Sequence, residues 1–111
     1  MKDNNAKKYD GGKLKYSYTP IRGLNAVAKV MTMGGEKYGA HNWRSGDKEF
    51  ILRLFDAANR HLNLYFADMQ QDVDAESGLS HLAHVACNAL MIMELMEYNK
   101  LSSKDVFDHG N

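Results

Sequence analysis

The chain has 111 residues and a mass of 12.5 kDa, enough for one domain and too little for two sound cores. Its 14 Lys plus Arg balance its 14 Asp plus Glu, which argues against a general nucleic-acid binder. With 44% apolar residues it is not a disordered acidic tail, and its single cysteine, Cys87, excludes an intramolecular disulfide and any multi-cysteine zinc site.

Residues 1 to 15 mix Lys, Asp, Asn and Gly-Gly with little to bury, and read as a flexible leader before a single domain over 16–111. There is no apolar core of signal-peptide length and no run long enough to span a bilayer. The expectation is a cytoplasmic protein without membrane contact, in the host cytoplasm if the chain is viral. Tyr16 to Thr19 reads as extended, Thr19 as a helix cap and Pro20 as the first-turn residue of a helix. Leu24, Val27, Ala28 and Met31 share a face of that helix, and Gly34-Gly35 is expected to weaken or end it. A loop follows through His41-Asn42-Trp43-Arg44-Ser45-Gly46. Asp47 caps a second helix expected to run to about Gln70, with Ile51, Phe55, Ala58, Leu62, Tyr65 and Met69 as its apolar stripe. A third helix is expected from about Ala75 to Asn99, with its stripe on Leu82, Ala86, Ala89, Leu90, Met93 and Met96. A short fourth helix, capped by Ser103, holds Val106 and Phe107.

No β-alternation or repeat is visible, so the fold class is all-α: a small antiparallel bundle of three main helices plus a short C-terminal one. So few helices cover their apolar faces poorly. A homodimer or higher homo-oligomer is therefore expected.

Chemistry-bearing residues concentrate in three places. On the third helix, Asp74, Gly78, His81, Val85 and Asn88 fall within roughly 80° of arc, with His84 at the border. His and Asp at this spacing could hold a divalent ion or a phosphate, or the histidines could simply be hydrogen-bonded in the core. The second helix offers Arg60 and His61. Arg60 could pair with Asp56 one turn away or, with its planar fork, meet a phosphate. His61 borders the apolar face and could meet the histidines of the third helix. The segment Glu36-Lys37-Tyr38-Gly39-Ala40-His41-Asn42-Trp43 is the densest of the three. Its aromatics either fold the loop onto the core or stack on a base. Asp72, Asp74 and Glu76 crowd the turn before the third helix, where they either stabilise its dipole or hold Mg²⁺. Cys87 reads as packing.

In this order, KYGxxNW from Lys37, Arg60-His61, and DxESGxxHLAH from Asp74 resemble the phage-associated dATP/dGTP diphosphohydrolase family, a branch of the all-α MazG-like nucleoside triphosphate pyrophosphatases. The resemblance covers about residues 13 to 97. It implies an oligomeric all-α enzyme that uses Mg²⁺ or Mn²⁺ to convert a purine deoxynucleoside triphosphate to monophosphate and pyrophosphate. Carried onto this chain, it makes Glu36, Lys37, Arg60 and His61 the catalytic candidates. Tyr38, Asn42, Trp43 and Asn88 would bind substrate, and Glu36, Asp74, Glu76, His81 and His84 would serve the metal. The chain departs from the MazG-like pattern in two places. The second helix has no ExxE pair, and HxxH stands where ExxD is expected. Gln70-Gln71 also replaces a Gly-Glu. Two other readings compete: a nucleotide- or metal-binding module without catalysis, and a helical interaction protein. The last requires the histidines and acids to scatter over the surface.

Overall fold

α1 (Ile21–Tyr38), α2 (Lys48–Ala67), α3 (His81–Asn99) and α4 (Ser103–Phe107) make up the fold, with 3₁₀ turns at Tyr16–Tyr18 and Asn42–Ser45. The computed structural model describes residues 6–107, and among these there is no strand. The all-α expectation holds. Among the described residues no helix is long and apolar enough to cross a membrane. Residues 6–15 are exposed and non-helical. The last four residues of the 16–111 domain lie outside the described residues.

α3 is the central element. It packs on α1 through one cluster (Val27, Val30, Ala83, Cys87) and on α2 and α4 through another (Ile51, Leu54, Leu95, Val106). The start of α2 meets the end of α3 in the second cluster, and His61 near the end of α2 meets His81 at the start of α3. The pair is therefore antiparallel, as expected. Cys87 is packing: its Sγ lies 3.1 Å from Met31 Sδ, and burial pushes the thiol up to about 11.

Several boundaries differ from the sequence reading. α1 runs through Gly34-Gly35 and ends at Tyr38, three residues after Gly35. Gly35 serves close packing instead, because a Cβ there would lie 3.2 Å from Ala40 Cα where the chain turns back. Asp47 caps α2 as expected, its Oδ1 accepting from Phe50 N–H at 3.0 Å, but the helix stops at Ala67. α4 is capped by Ser102 rather than Ser103. Ser102 N–H donates to Asp105 Oδ2 at 2.7 Å, and Asp105 N–H donates back to Ser102 Oγ at 3.3 Å. Tyr16–Tyr18 is a 3₁₀ turn, not extended chain.

The largest shift is at α3, which begins at His81 and not near Ala75. Residues 74–79 close a tight turn: Gly78 N–H donates to Asp74 O, and Asp74 N–H to Leu79 O, each at 2.7 Å. Gly78 sits at φ +74°, which a side chain would resist. The α3 stripe also differs. His81, Ala83, Cys87, Asn88 and Leu95 are the buried positions. Of the expected stripe, Ala86 and Met96 pack at the edges of the clusters. Leu82, Leu90 and Met93 face outward at 40%, 45% and 65% exposure. A helix packed on two sides buries two faces, and a one-stripe reading cannot find both.

Candidate active site

The polar site is built where α2 ends, α3 begins and the 72–80 turn joins them. Asp72 makes the turn rigid. Its Oδ1 accepts from His81 N–H at 2.8 Å and Leu82 N–H at 3.3 Å, and its Oδ2 accepts from Ser80 Oγ at 2.6 Å. Ser80 Oγ in turn accepts from Ala83 N–H at 3.0 Å. These bonds satisfy donors that a helix start leaves open, and they place an anion against the positive end of the α3 dipole. The side chain of His81 is thereby aimed at α2.

There its Nδ1 lies 3.0 Å from His61 Nδ1. His61 Nδ1 is also 3.9 Å from Asp74 Oδ1. Ligand atoms of His61, Asp74 and His81 all fall within 4.8 Å of one another, so the three could hold a metal ion. Asp74 is held by its other oxygen, Oδ2, which accepts from Ser77 N–H at 2.7 Å. Ser77 Oγ is 2.8 Å from His84 Nε2, and the His84 ring stacks on His61 with centroids 4.2 Å apart. His81 is 6% exposed, and the other members are half-buried.

The electrostatics follow from this packing. Burial, then the charge of His84, lowers the His61 pKa below the usual imidazole value, and Asp74 offsets only part of this. Burial likewise lowers His84. For Asp74, burial alone would raise the carboxyl. Hydrogen bonds from Ser77 and the neighbouring histidines outweigh it and hold the group below its ordinary value. His61 and His84 are thus pushed toward the neutral form beside a carboxylate, and neutral imidazole is the form that binds a metal.

Thus His61, Asp74, His81 and His84 come together, which removes the main support for a bare interaction protein. The remaining candidates lie around them or elsewhere. Glu76 and Lys37 are exposed and pair with each other at 3.6 Å, joining the end of α1 to the turn. Glu36 lines an open groove of about 680 Å³ with Asn25, Lys29, Thr32, Ser77 and Leu79, so that Ser77 belongs to both groove and histidine cluster. Arg60 is exposed beside His61 and forms no ion pair with Asp56. Asn88, 8% exposed, is on α3 one turn beyond His84. Tyr38 is exposed at the end of α1, under Lys37. Trp43 packs into the second core cluster, and its ring is covered by Arg44, which reaches Glu94 near the far end of α3. Asn42 lines a separate depression with Asp47 and Arg53. The KYGxxNW segment therefore divides between the 72–80 turn and the second core cluster.

Sequence reasoning missed the linking role of Ser77 and the capping roles of Asp72 and Ser80. The signal for a cap was present: a serine immediately before a His-Leu-Ala-His run is a helix-start pattern.

Residues 3–105 match the family model described as dATP/dGTP diphosphohydrolase, N-terminal. A protein of Salmonella phage PMBT28 named dATP/dGTP diphosphohydrolase is 39% identical over 98 residues, covering 88% of this chain and 32% of that protein. The chain thus spans about a third of the length of this relative. No solved structure matches it significantly. With the match running over nearly its whole length, the chain belongs to the dATP/dGTP diphosphohydrolase N-terminal family.

Proposed function

We propose that the chain acts on a purine deoxynucleoside triphosphate, releasing monophosphate and pyrophosphate with the help of a divalent ion, as a MazG-like enzyme does. The observation that carries this reading is the convergence of His61, Asp74 and His81 from three separate segments, in a chain of this family. A divalent ion bound there would neutralise phosphate charge and lower the pKa of an attacking water.

The donor set fits one of the two expected ions better than the other. Mg²⁺ favours several oxygen ligands. Of the acids near the turn, Asp72 spends both oxygens on the α3 cap, and Glu76 turns to Lys37. Asp74 alone remains beside two imidazoles. Mn²⁺ accepts such a set more readily than Mg²⁺. Mg²⁺ would then arrive as the counterion of the triphosphate.

Around this centre the chain's own groups have distinct tasks. The groove along α1 has a volume suited to a nucleotide-sized ligand, and Lys29 lines it with positive charge. Lys37 and Arg60 would balance the charge that develops on the phosphates, and Glu36, within the groove, would orient or deprotonate water. Asn88 would contribute an amide from the face of α3. Trp43 is committed to the core, so Tyr38 is the better aromatic for stacking on a base. His84 and Ser77 would position His61 and Asp74 rather than touch substrate.

The reading includes a homo-oligomer. α3 carries apolar side chains on its outer as well as its inner faces, a pattern suited to a helix buried on all sides.

The test is a substrate screen. Purified chain is incubated with each dNTP and NTP plus Mg²⁺ or Mn²⁺, and products are resolved by chromatography. Monophosphate with pyrophosphate is expected, purine deoxynucleotides leading, and Asp74→Ala should abolish turnover while keeping the helical signal. Undiminished turnover by that variant would remove Asp74 from the site. Tight nucleotide binding without product in a folded sample would replace the enzyme by a binding module.

A further inference from the structure

We propose that His61, Asp74 and His81 form a resident site for a first-row transition ion such as Co²⁺ or Zn²⁺, selective against Mg²⁺ and distinct from the Mg²⁺ that accompanies a triphosphate. This deepens the proposed function by naming the class of ion, and it rests on that function only for the role the ion would play.

The first argument is spacing. Two ligands in neighbouring positions around an ion, each at about 2.1 Å, are separated by about 3.0 to 3.4 Å. His61 Nδ1 and His81 Nδ1 are 3.0 Å apart, and Asp74 Oδ1 is 3.9 Å from His61 Nδ1. All three donor atoms lie within 4.8 Å of one another, so a movement of the carboxylate on the order of 1 Å brings them onto one ion. Without the ion, the two Nδ1 atoms share one proton in a hydrogen bond. An entering ion takes both lone pairs, and that proton moves to the Nε2 of its own ring.

The second argument is support. Each ligand is fixed by a contact made through a part of the residue other than its donor atom. Ser77 N–H holds Asp74 by Oδ2 and leaves Oδ1 to face His61. His84 covers the face of the His61 ring, not its edge. Asp72 holds His81 by its backbone, while the imidazole meets His61 through Nδ1. Such outer contacts are what orient ligands in metal sites.

The third argument is chemistry. Two imidazoles and one carboxylate suit ions of the Mn²⁺ to Zn²⁺ series, with affinity rising along it, whereas Mg²⁺ dehydrates reluctantly and prefers oxygen. Three protein ligands also leave at least one position open for water or a phosphate oxygen.

The experiment titrates the EDTA-stripped full chain with Co²⁺, read by visible ligand-field absorption and by calorimetry. Zn²⁺ and Mg²⁺ then compete for the bound Co²⁺. One Co²⁺ per chain is expected, displaced by equimolar Zn²⁺ but retained against about a hundredfold excess of Mg²⁺. His61→Gln, His81→Gln and Asp74→Asn should each weaken binding more than about tenfold, and Ser77→Ala by about tenfold through the orientation of Asp74. His41→Gln, whose ring lies beside Arg44 away from the cluster, should leave binding unchanged. The inference is overturned by absence of Co²⁺ bands in a chain that circular dichroism shows to be folded, or by equal competition from Mg²⁺. Binding unaltered in folded His61→Gln or Asp74→Asn also overturns it. Should the His81 variant unfold, the two others decide. Nucleotide turnover is measured separately in Mg²⁺ alone. Turnover without any Co²⁺ site would remove this inference and leave the function standing, whereas a Co²⁺ site without turnover would do the reverse.

Discussion

The His61 and His84 rings lie face to face, 4.2 Å between centroids and 5° from parallel. Two stacked imidazoles cannot both take a proton without placing like charges in contact, and partial burial already disfavours the first. Both groups therefore bind protons less readily in the folded chain than in the unfolded one. Their stabilising contribution is complete above the unfolded value near 6.5 and is lost as pH falls from there through the lower folded values. Asp74, also held below its ordinary value, adds a further loss in more acidic solution. Thermal unfolding of EDTA-treated chain should show the Tm falling as the pH drops below about 6.5. His84→Gln should flatten that decline. An unchanged slope in the variant would mean that the stack does not govern proton uptake.

Asp72 is expected to matter for stability more than its exposed neighbours. One carboxylate accepts from two backbone N–H groups and from the Ser80 hydroxyl at the start of α3. Replacing a helix cap by alanine costs about 1–2 kcal/mol. Asp72→Ala should lie at the upper end of that range in urea unfolding and exceed Ser80→Ala, because the first change also removes an anion from the positive end of the helix. Equal costs for the two would show that the backbone bonds to Asp72 add little.

Leu90 and Met93 present apolar surface on the outside of α3, at 45% and 65% exposure among the described residues. The native chain is expected to sediment above its monomer mass of 12.5 kDa at micromolar concentration. Leu90→Glu should shift it toward monomer by placing a charge in the buried interface, while leaving the α1–α3 and α2–α3 clusters intact. A native chain that sediments as a monomer under these conditions would remove α3 as an oligomer face.

The residues show how far a sequence reaches. The helices were legible because periodicity and caps are local: Asp47 before Lys48–Ala67 is a side chain meeting a nearby backbone N–H. The histidines and Asp74 were legible as candidates because residue type states what chemistry is available. Which of them meet was not legible. His61 and His81 are 20 positions apart, and only the antiparallel register of α2 on α3 sets their nitrogens 3.0 Å from each other. Asp72, Asp74 and Glu76 read as one acidic group, yet the turn closed by Gly78 points each to a different partner: the α3 cap, the histidines and Lys37. Trp43 read as a possible base platform and lies in the core, because its loop folds back over the far end of α3. Composition and local hydrogen bonding thus determined an all-α chain and the kinds of group it could use. The packing of α3 between two partners decided which groups share a site and which apolar face is left outside, since contacts between distant segments depend on helix register and turn geometry that no local pattern encodes.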